Sequence, residues 1–194
     1  MKTTILTATV VALTVNPAFA HLDPTEHGSF AAGFTHPVSG VDHIVVMVAV
    51  GLWAAMLGRQ ALFVVPATFL GLMILGFATA ILGMPLPLVE PVILGSVVVL
   101  GIAVAVALPV WPVVGAMIVG FFAFFHGHAH GEEMGAAESI SYGAGFVVAT
   151  AMLHILGIAA GLIAWYRTAG SKGRLTIRFA GGAAALSGLM LMVG

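Results

Sequence analysis

Two short stretches of the sequence bring together side chains that can hold a metal ion. The first contains His36, Asp42 and His43, and the second, "FHGHAHGEEMG", has three histidines at alternate positions followed by two glutamates. Neutral imidazole with carboxylate suits nickel, cobalt, zinc or copper, whereas magnesium and calcium prefer shells made only of oxygen. The chain has no cysteine, so thiolate ligands are excluded. The two stretches therefore predict one shared site for a divalent transition-metal ion.

Helical spacing predicts how the first stretch presents its side chains. His36 and His43 are seven residues apart, which is about two helical turns, so they point the same way if one helix begins early enough. Pro37 suits the first turn of such a helix and would place His36 at its entrance. Asp42 lies about 100° around the helix from His43. The expected arrangement is two imidazoles and a carboxylate descending from one membrane face.

The second stretch has a similar periodicity. His126 and His130 share a helical face if the helix continues through the intervening glycine, and His128 then points elsewhere. Glu132 and Glu133 follow directly and complete the set of candidate ligands. His128 and Glu133 are equally consistent with solvated positions at the membrane surface.

Two further histidines are candidates on separate grounds. His154 stands alone near the middle of a long apolar segment, where an ionisable residue is costly and is either functional or hydrogen-bonded to a neighbouring helix. His21 becomes the mature N-terminus if the chain is cleaved after Ala20. Its free amine and ring nitrogen could then chelate one ion, or it could simply be the residue that follows a cleavage site.

The composition indicates which kind of protein must position these side chains. The chain has 194 residues, of which 61% are hydrophobic and only 7% charged, whereas a soluble domain carries about 25% charged residues. Lipid is therefore the expected solvent. The net charge of −1 argues against a nucleic-acid partner.

The N-terminus has the pattern of a signal peptide. Lys2 precedes the apolar run "TILTATVVALTV", and Ala18-Phe19-Ala20 forms a small-x-small cleavage site. The alternative is an uncleaved membrane helix, but the apolar run is shorter than the roughly 20 residues of a span. We expect residues 1–20 to be the signal peptide and residues 21–194 to be a single membrane domain.

Six apolar segments follow, and all six should be transmembrane helices because open sheets cannot span lipid. They cover about 39–57, 61–82, 92–108, a fourth segment from the Pro109–Pro112 turn to about 125, 139–166 and 175–193. With both termini outside, the basic residues fall at the inner side, as the positive-inside rule requires. Those residues are Arg59, Arg167, Lys172, Arg174 and Arg178. The expected protein is an all-α, multi-pass protein of the bacterial inner membrane.

The motifs quoted above also resemble a known family. His36-x5-Asp42-His43 and Phe125-His126-Gly127-x-Ala129-His130-Gly131-x-Glu133 are similar to the two signatures of the HupE/UreJ family of bacterial nickel and cobalt permeases. The resemblance covers the whole chain and implies uptake of nickel, or of cobalt in some members, for metalloenzymes such as hydrogenase and urease. It implies metal-binding roles for His36, Asp42, His43, His126, His130 and Glu133; Glu132, His154 and His21 are added from spacing and depth alone.

Three other functions compete with transport. A membrane metalloenzyme could use metal-bound water with a glutamate as general base, but the zinc-protease pattern HExxH is absent. A bis-histidine haem protein needs two deep histidines, and the sequence offers one. A metal sensor or accessory subunit would bind without transporting. We expect no prosthetic group, a transported divalent ion (nickel, with cobalt or zinc as alternatives), and no ATPase function, because no GxxxxGK loop occurs.

Overall fold

The computed structural model describes residues 29–135, 137–164 and 171–193, and this part of the chain is all-helical. The predicted signal peptide and His21 lie outside the described residues. The helices, numbered in chain order, are α1 (Ser29–Ser39), α2 (Val41–Leu57), α3 (Ala61–Ile81), α4 (Val89–Ala105), α5 (Pro112–Glu133), α6 (Ser139–Leu162) and α7 (Ser171–Val193).

Four of the described helices are long and apolar enough to cross a membrane, as expected for an all-α membrane protein. They are α3, α5, α6 and α7. Helices α1 and α2 pass the same test only as a pair, and they are bent by 80° at their junction. Helix α4 has 17 residues and is a shorter apolar helix. By length and composition the described residues thus give four spans, or five if the bent pair counts as one.

The junction between α1 and α2 differs from the predicted start of the first span. Pro37 lies near the end of α1, and α2 begins after Gly40, whose backbone is extended (φ −90°, ψ 122°). His36 is therefore on a separate helix and not at the entrance of the helix that carries His43. A Cβ atom on Gly40 would lie 2.9 Å from Asp42 Oδ1 and 3.1 Å from His43 Nδ1. Because glycine has no side chain, the backbone can pass close to the side chains of Asp42 and His43 at this bend.

Helix α5 is longer than the sequence predicted. The fourth segment was expected to end near residue 125, but α5 continues to Glu133 through the whole histidine stretch. Gly127 packs so closely on the Met73 carbonyl of α3 that a Cβ atom would overlap it, and Gly131 meets the side chain of Ala80. The glycines of this stretch therefore serve helix packing, which small residues permit in membranes.

Close packing at glycine residues also joins the other helices. Gly51 of α2 packs against Gly157 of α6. Gly33 of α1 also packs on α6, at Tyr142, and Gly101 of α4 packs on α7 at Ala185. Helix α6 thereby holds both halves of the bent pair, which fixes α1 and α2 relative to each other.

Hydrogen bonds connect the helix ends at both ends of the bundle. At one end the Trp53 indole donates to the Leu108 carbonyl at 3.1 Å, and Arg178 Nε donates to the Ala105 carbonyl at 2.7 Å. At the other end His128 Nε2 donates to the Met84 carbonyl at 2.8 Å, which ties α5 to the loop between α3 and α4. We call this second end the histidine end.

Candidate metal site

Four imidazoles from three helices converge at the histidine end. The ring centroid of His130 lies 4.7 Å from that of His36 and 4.8 Å from that of His43. His126, one turn earlier on α5, lies 5.5 Å from His43. The bend at Gly40 brings α1 across the end of α2, so His36 reaches the cluster from the side. The two sequence stretches thus meet as predicted, although through a different backbone path.

The nitrogen atoms of three of these rings are close enough to share one ion. His36, His43 and His130 each offer one ligand atom, and these atoms all lie within 4.8 Å of one another. In a tetrahedral shell with metal–nitrogen bonds of about 2.1 Å, ligand atoms are about 3.4 Å apart. Small side-chain rotations would therefore bring the three nitrogens onto an ion.

Two of the histidines are oriented by a bond to their Nδ1 atoms. His43 Nδ1 lies 3.1 Å from Asp42 Oδ1, and His126 Nδ1 lies 3.0 Å from the Phe122 carbonyl. A carbonyl or an ionised carboxylate only accepts, so Nδ1 carries the hydrogen in both rings and Nε2 keeps its lone pair. Both Nε2 atoms are buried and have no hydrogen-bond partner. A second partner that fixes the tautomer in this way is typical of metal-binding histidines.

Glu133 brings a second carboxylate to the cluster. Its Oε2 atom lies 2.9 Å from His36 Nε2, and about half of the glutamate side chain is exposed. Asp42 is also partly exposed, whereas His130 is fully buried. Negative charge thus lies at the solvent side of the site and neutral nitrogen lies deeper, an order that favours the approach of a cation.

His130 occupies the centre of the cluster, and its ring makes no hydrogen bond there. Neither of its ring nitrogens has a hydrogen-bond partner, and its ring packs on Phe146 at a centroid distance of 4.1 Å. A buried polar group without a partner costs about 1–3 kcal/mol. The position is therefore unfavourable for stability unless a ligand completes it.

Two predicted ligands in the described part of the chain, Glu132 and His154, do not join the cluster. Glu132 lies beside His128 instead, at 3.8 Å from its Nδ1 atom. His154 is buried on α6, where its nearest aromatic neighbour is Phe69. His128 itself points away from the cluster, as its spacing predicted, and bonds to Met84.

Tyr142 is a site residue that the sequence did not reveal. Its ring centroid lies 6.3 Å from that of His36, and its buried hydroxyl has no hydrogen-bond partner. Tyr142 lies in the first turn of α6, at the same membrane level as the histidines, and this position could have indicated that it lies near the site.

Comparisons with known proteins identify the family of this chain. A family model described as HupE / UreJ protein matches residues 9–191. Protein HupE of Rhizobium leguminosarum bv. viciae is 42% identical over 196 aligned residues, which cover all of this chain and all of that protein. No solved structure matches the chain. The chain therefore belongs to the HupE/UreJ family, which makes it a nickel or cobalt uptake permease of the bacterial inner membrane and not an enzyme.

Proposed function

We propose that the histidine cluster is the entry site at which the permease captures its ion. The ligands are His36, His43, His126 and His130, with Asp42 and Glu133 as the charged partners. The observation that carries this proposal is the group of three histidine nitrogens within 4.8 Å of one another. Nickel is the proposed substrate, with cobalt and zinc as alternatives, because all three suit imidazole ligands.

The charges of the site suit capture followed by release. The two carboxylates attract a divalent ion, and the neutral imidazoles disfavour magnesium and calcium. The three closely spaced nitrogens lie beside partly exposed carboxylates, so the ion can reach the site from the solvent side. Fast exchange is what a transport site requires.

The proposed topology has six spans with both termini outside. The bent α1–α2 pair counts as one span, and the 17 residues of α4 extend about 25 Å, close to the thickness of a hydrocarbon core. Arg178 bonds to Ala105 at the end opposite the histidines, where the positive-inside rule places the cytoplasm. The histidine end then faces outward. An inside-negative potential of 100 mV favours entry of a divalent ion by about 4.6 kcal/mol.

Transport by the purified protein is the direct test. Full-length protein in liposomes with an inside-negative potential should accumulate nickel above the level of empty liposomes, and magnesium and calcium should not compete. Reversing the potential should slow entry, because the ion carries two charges. Failure to take up nickel, cobalt or zinc under these conditions would contradict the proposal.

A matched pair of neighbouring glutamates tests the assignment of the site. Glu133→Gln keeps the side-chain shape but removes the carboxylate that bonds His36, so uptake at limiting nickel should fall about 10–100-fold. Glu132→Gln removes the same charge one residue earlier, beside His128. Its uptake should stay within about twofold of wild type, because the Glu132 carboxylate lies beside His128, which points away from the cluster. Equal losses in the two variants would show that only overall surface charge matters.

A further inference from the structure

A second group of buried polar side chains lies on α6, deeper in the bundle than the histidine cluster. His154 is 1% exposed and neither of its ring nitrogens has a hydrogen-bond partner. Thr150, one helical turn earlier, is fully buried and its hydroxyl also has no partner. In a membrane helix a threonine hydroxyl ordinarily finds a partner, because hydrocarbon offers none. The pair therefore has unused donor and acceptor capacity at a depth where such groups are costly.

A single aromatic ring lies beside both His154 and the histidine cluster. The Phe69 ring centroid lies 6.0 Å from that of His126 and 4.9 Å from that of His154. Phe69 belongs to α3 and is fully buried. Along α6, His154 follows Phe146, the residue that packs on His130, by eight residues, or about 12 Å. The imidazole of His154 thus lies on the continuation of the line from the cluster into the membrane.

We propose that His154 and Thr150 form a second, deeper station for the transported divalent ion, and that Phe69 is the partition between the two stations. This inference rests on the proposed function of the histidine cluster. The deeper station offers one imidazole and one hydroxyl and no carboxylate, so it binds the ion more weakly than the cluster does. A weaker second station favours onward movement, because an ion held as tightly there as at the entry would leave slowly.

At the level of this station and just beyond it, α2 and α6 are in close backbone contact. Gly51 of α2 packs directly on the backbone of His154 and Gly157. An ion at the second station would therefore have to wait for α2 and α6 to separate before it could move further along this contact.

The test compares nickel binding and transport in the full-length protein. Calorimetry in detergent should show a tight event and a second, at least tenfold weaker event in wild type. His154→Leu should keep the tight event within about twofold and lose the weak one. Its maximal uptake rate in liposomes should fall at least tenfold, while the nickel concentration at half-maximal rate changes little. Thr150→Val, which keeps the side-chain shape, should lower the maximal rate about threefold and serves if His154→Leu folds poorly.

The outcomes separate this inference from the entry site. His130→Leu should lose the tight event and keep the weak one. Wild-type transport by both His154→Leu and Thr150→Val, or survival of the weak event in His154→Leu, would overturn the second station and leave the entry site standing. Loss of neither event in His130→Leu would instead remove the entry site, on which the second station depends.

Discussion

His130→Leu is expected to abolish tight nickel binding and uptake without lowering the free energy of unfolding. The variant removes the central imidazole, whose nitrogens lie among those of His36 and His43. Loss of a direct ligand should exceed the roughly 10–100-fold effect of losing an outer partner, so affinity should fall at least 100-fold. Leucine has no buried polar atoms to leave unpaired, so the metal-free protein should be as stable as wild type or more stable. Calorimetry and thermal unfolding in detergent with a chelator measure the two effects.

His128→Leu is the matched control, and it should give the opposite result. His128 is on the same helix two residues away and is equally buried, but its Nε2 atom donates to the Met84 carbonyl. Leucine there leaves that carbonyl without its donor, so the protein should lose about 1–3 kcal/mol of stability. Nickel affinity should stay within about threefold of wild type, because His128 points away from the cluster. Tight binding by His130→Leu, or its loss in His128→Leu, would contradict the assignment.

The ligand types of the site were predictable from the sequence, but their spatial arrangement was only partly predictable. Histidine and carboxylate in two short stretches indicated a shared ion, and the spacing of His126 and His130 gave their common face correctly. The route of His36 into the cluster was not predictable. A seven-residue spacing is equally compatible with one continuous helix and with two helices that meet at Gly40. Pro37 is compatible with the start of one helix and with the end of another. Local conformational preferences therefore do not distinguish a continuous helix from two helices.

The extent of α5 shows a second limit of local sequence patterns. Histidine and glycine, which make up most of residues 126–131, have low helix propensity, and the predicted segment ended just before them. The structure continues the helix to Glu133 because Gly127 and Gly131 permit close contact with α3. Tertiary packing thus overrides the local preference, and the partner that provides it lies some fifty residues away in the chain. The positions of Tyr142 and Phe69 near the histidines were not predictable for the same reason. In the sequence both residues look like ordinary members of apolar segments, and only the packing of the helices brings them to the site.

Nickel affinity is expected to fall steeply as the pH is lowered from 7.5 to 5.5. An imidazole binds metal only when it is neutral, and in water it takes up a proton near pH 6.5. Protons therefore compete with the ion on the acidic side of this value, and each imidazole that must lose a proton lowers the affinity about tenfold over this range. Two such imidazoles give a loss of about 100-fold. Carboxylates ordinarily titrate near pH 4, so ligation by carboxylates alone would leave the affinity almost constant.

Calorimetry at several pH values, in detergent and without a membrane potential, measures this binding apart from transport. Repeating each titration in two buffers of different ionisation enthalpy gives the number of protons released per nickel ion. Asp42→Asn is the matched control, because an amide oxygen can still accept from His43 Nδ1 and keep Nε2 free. This variant should bind more weakly but keep the wild-type pH slope. If wild type and Asp42→Asn both showed a flat dependence, the ion would not be bound by imidazoles, and the histidine cluster would not be the entry site.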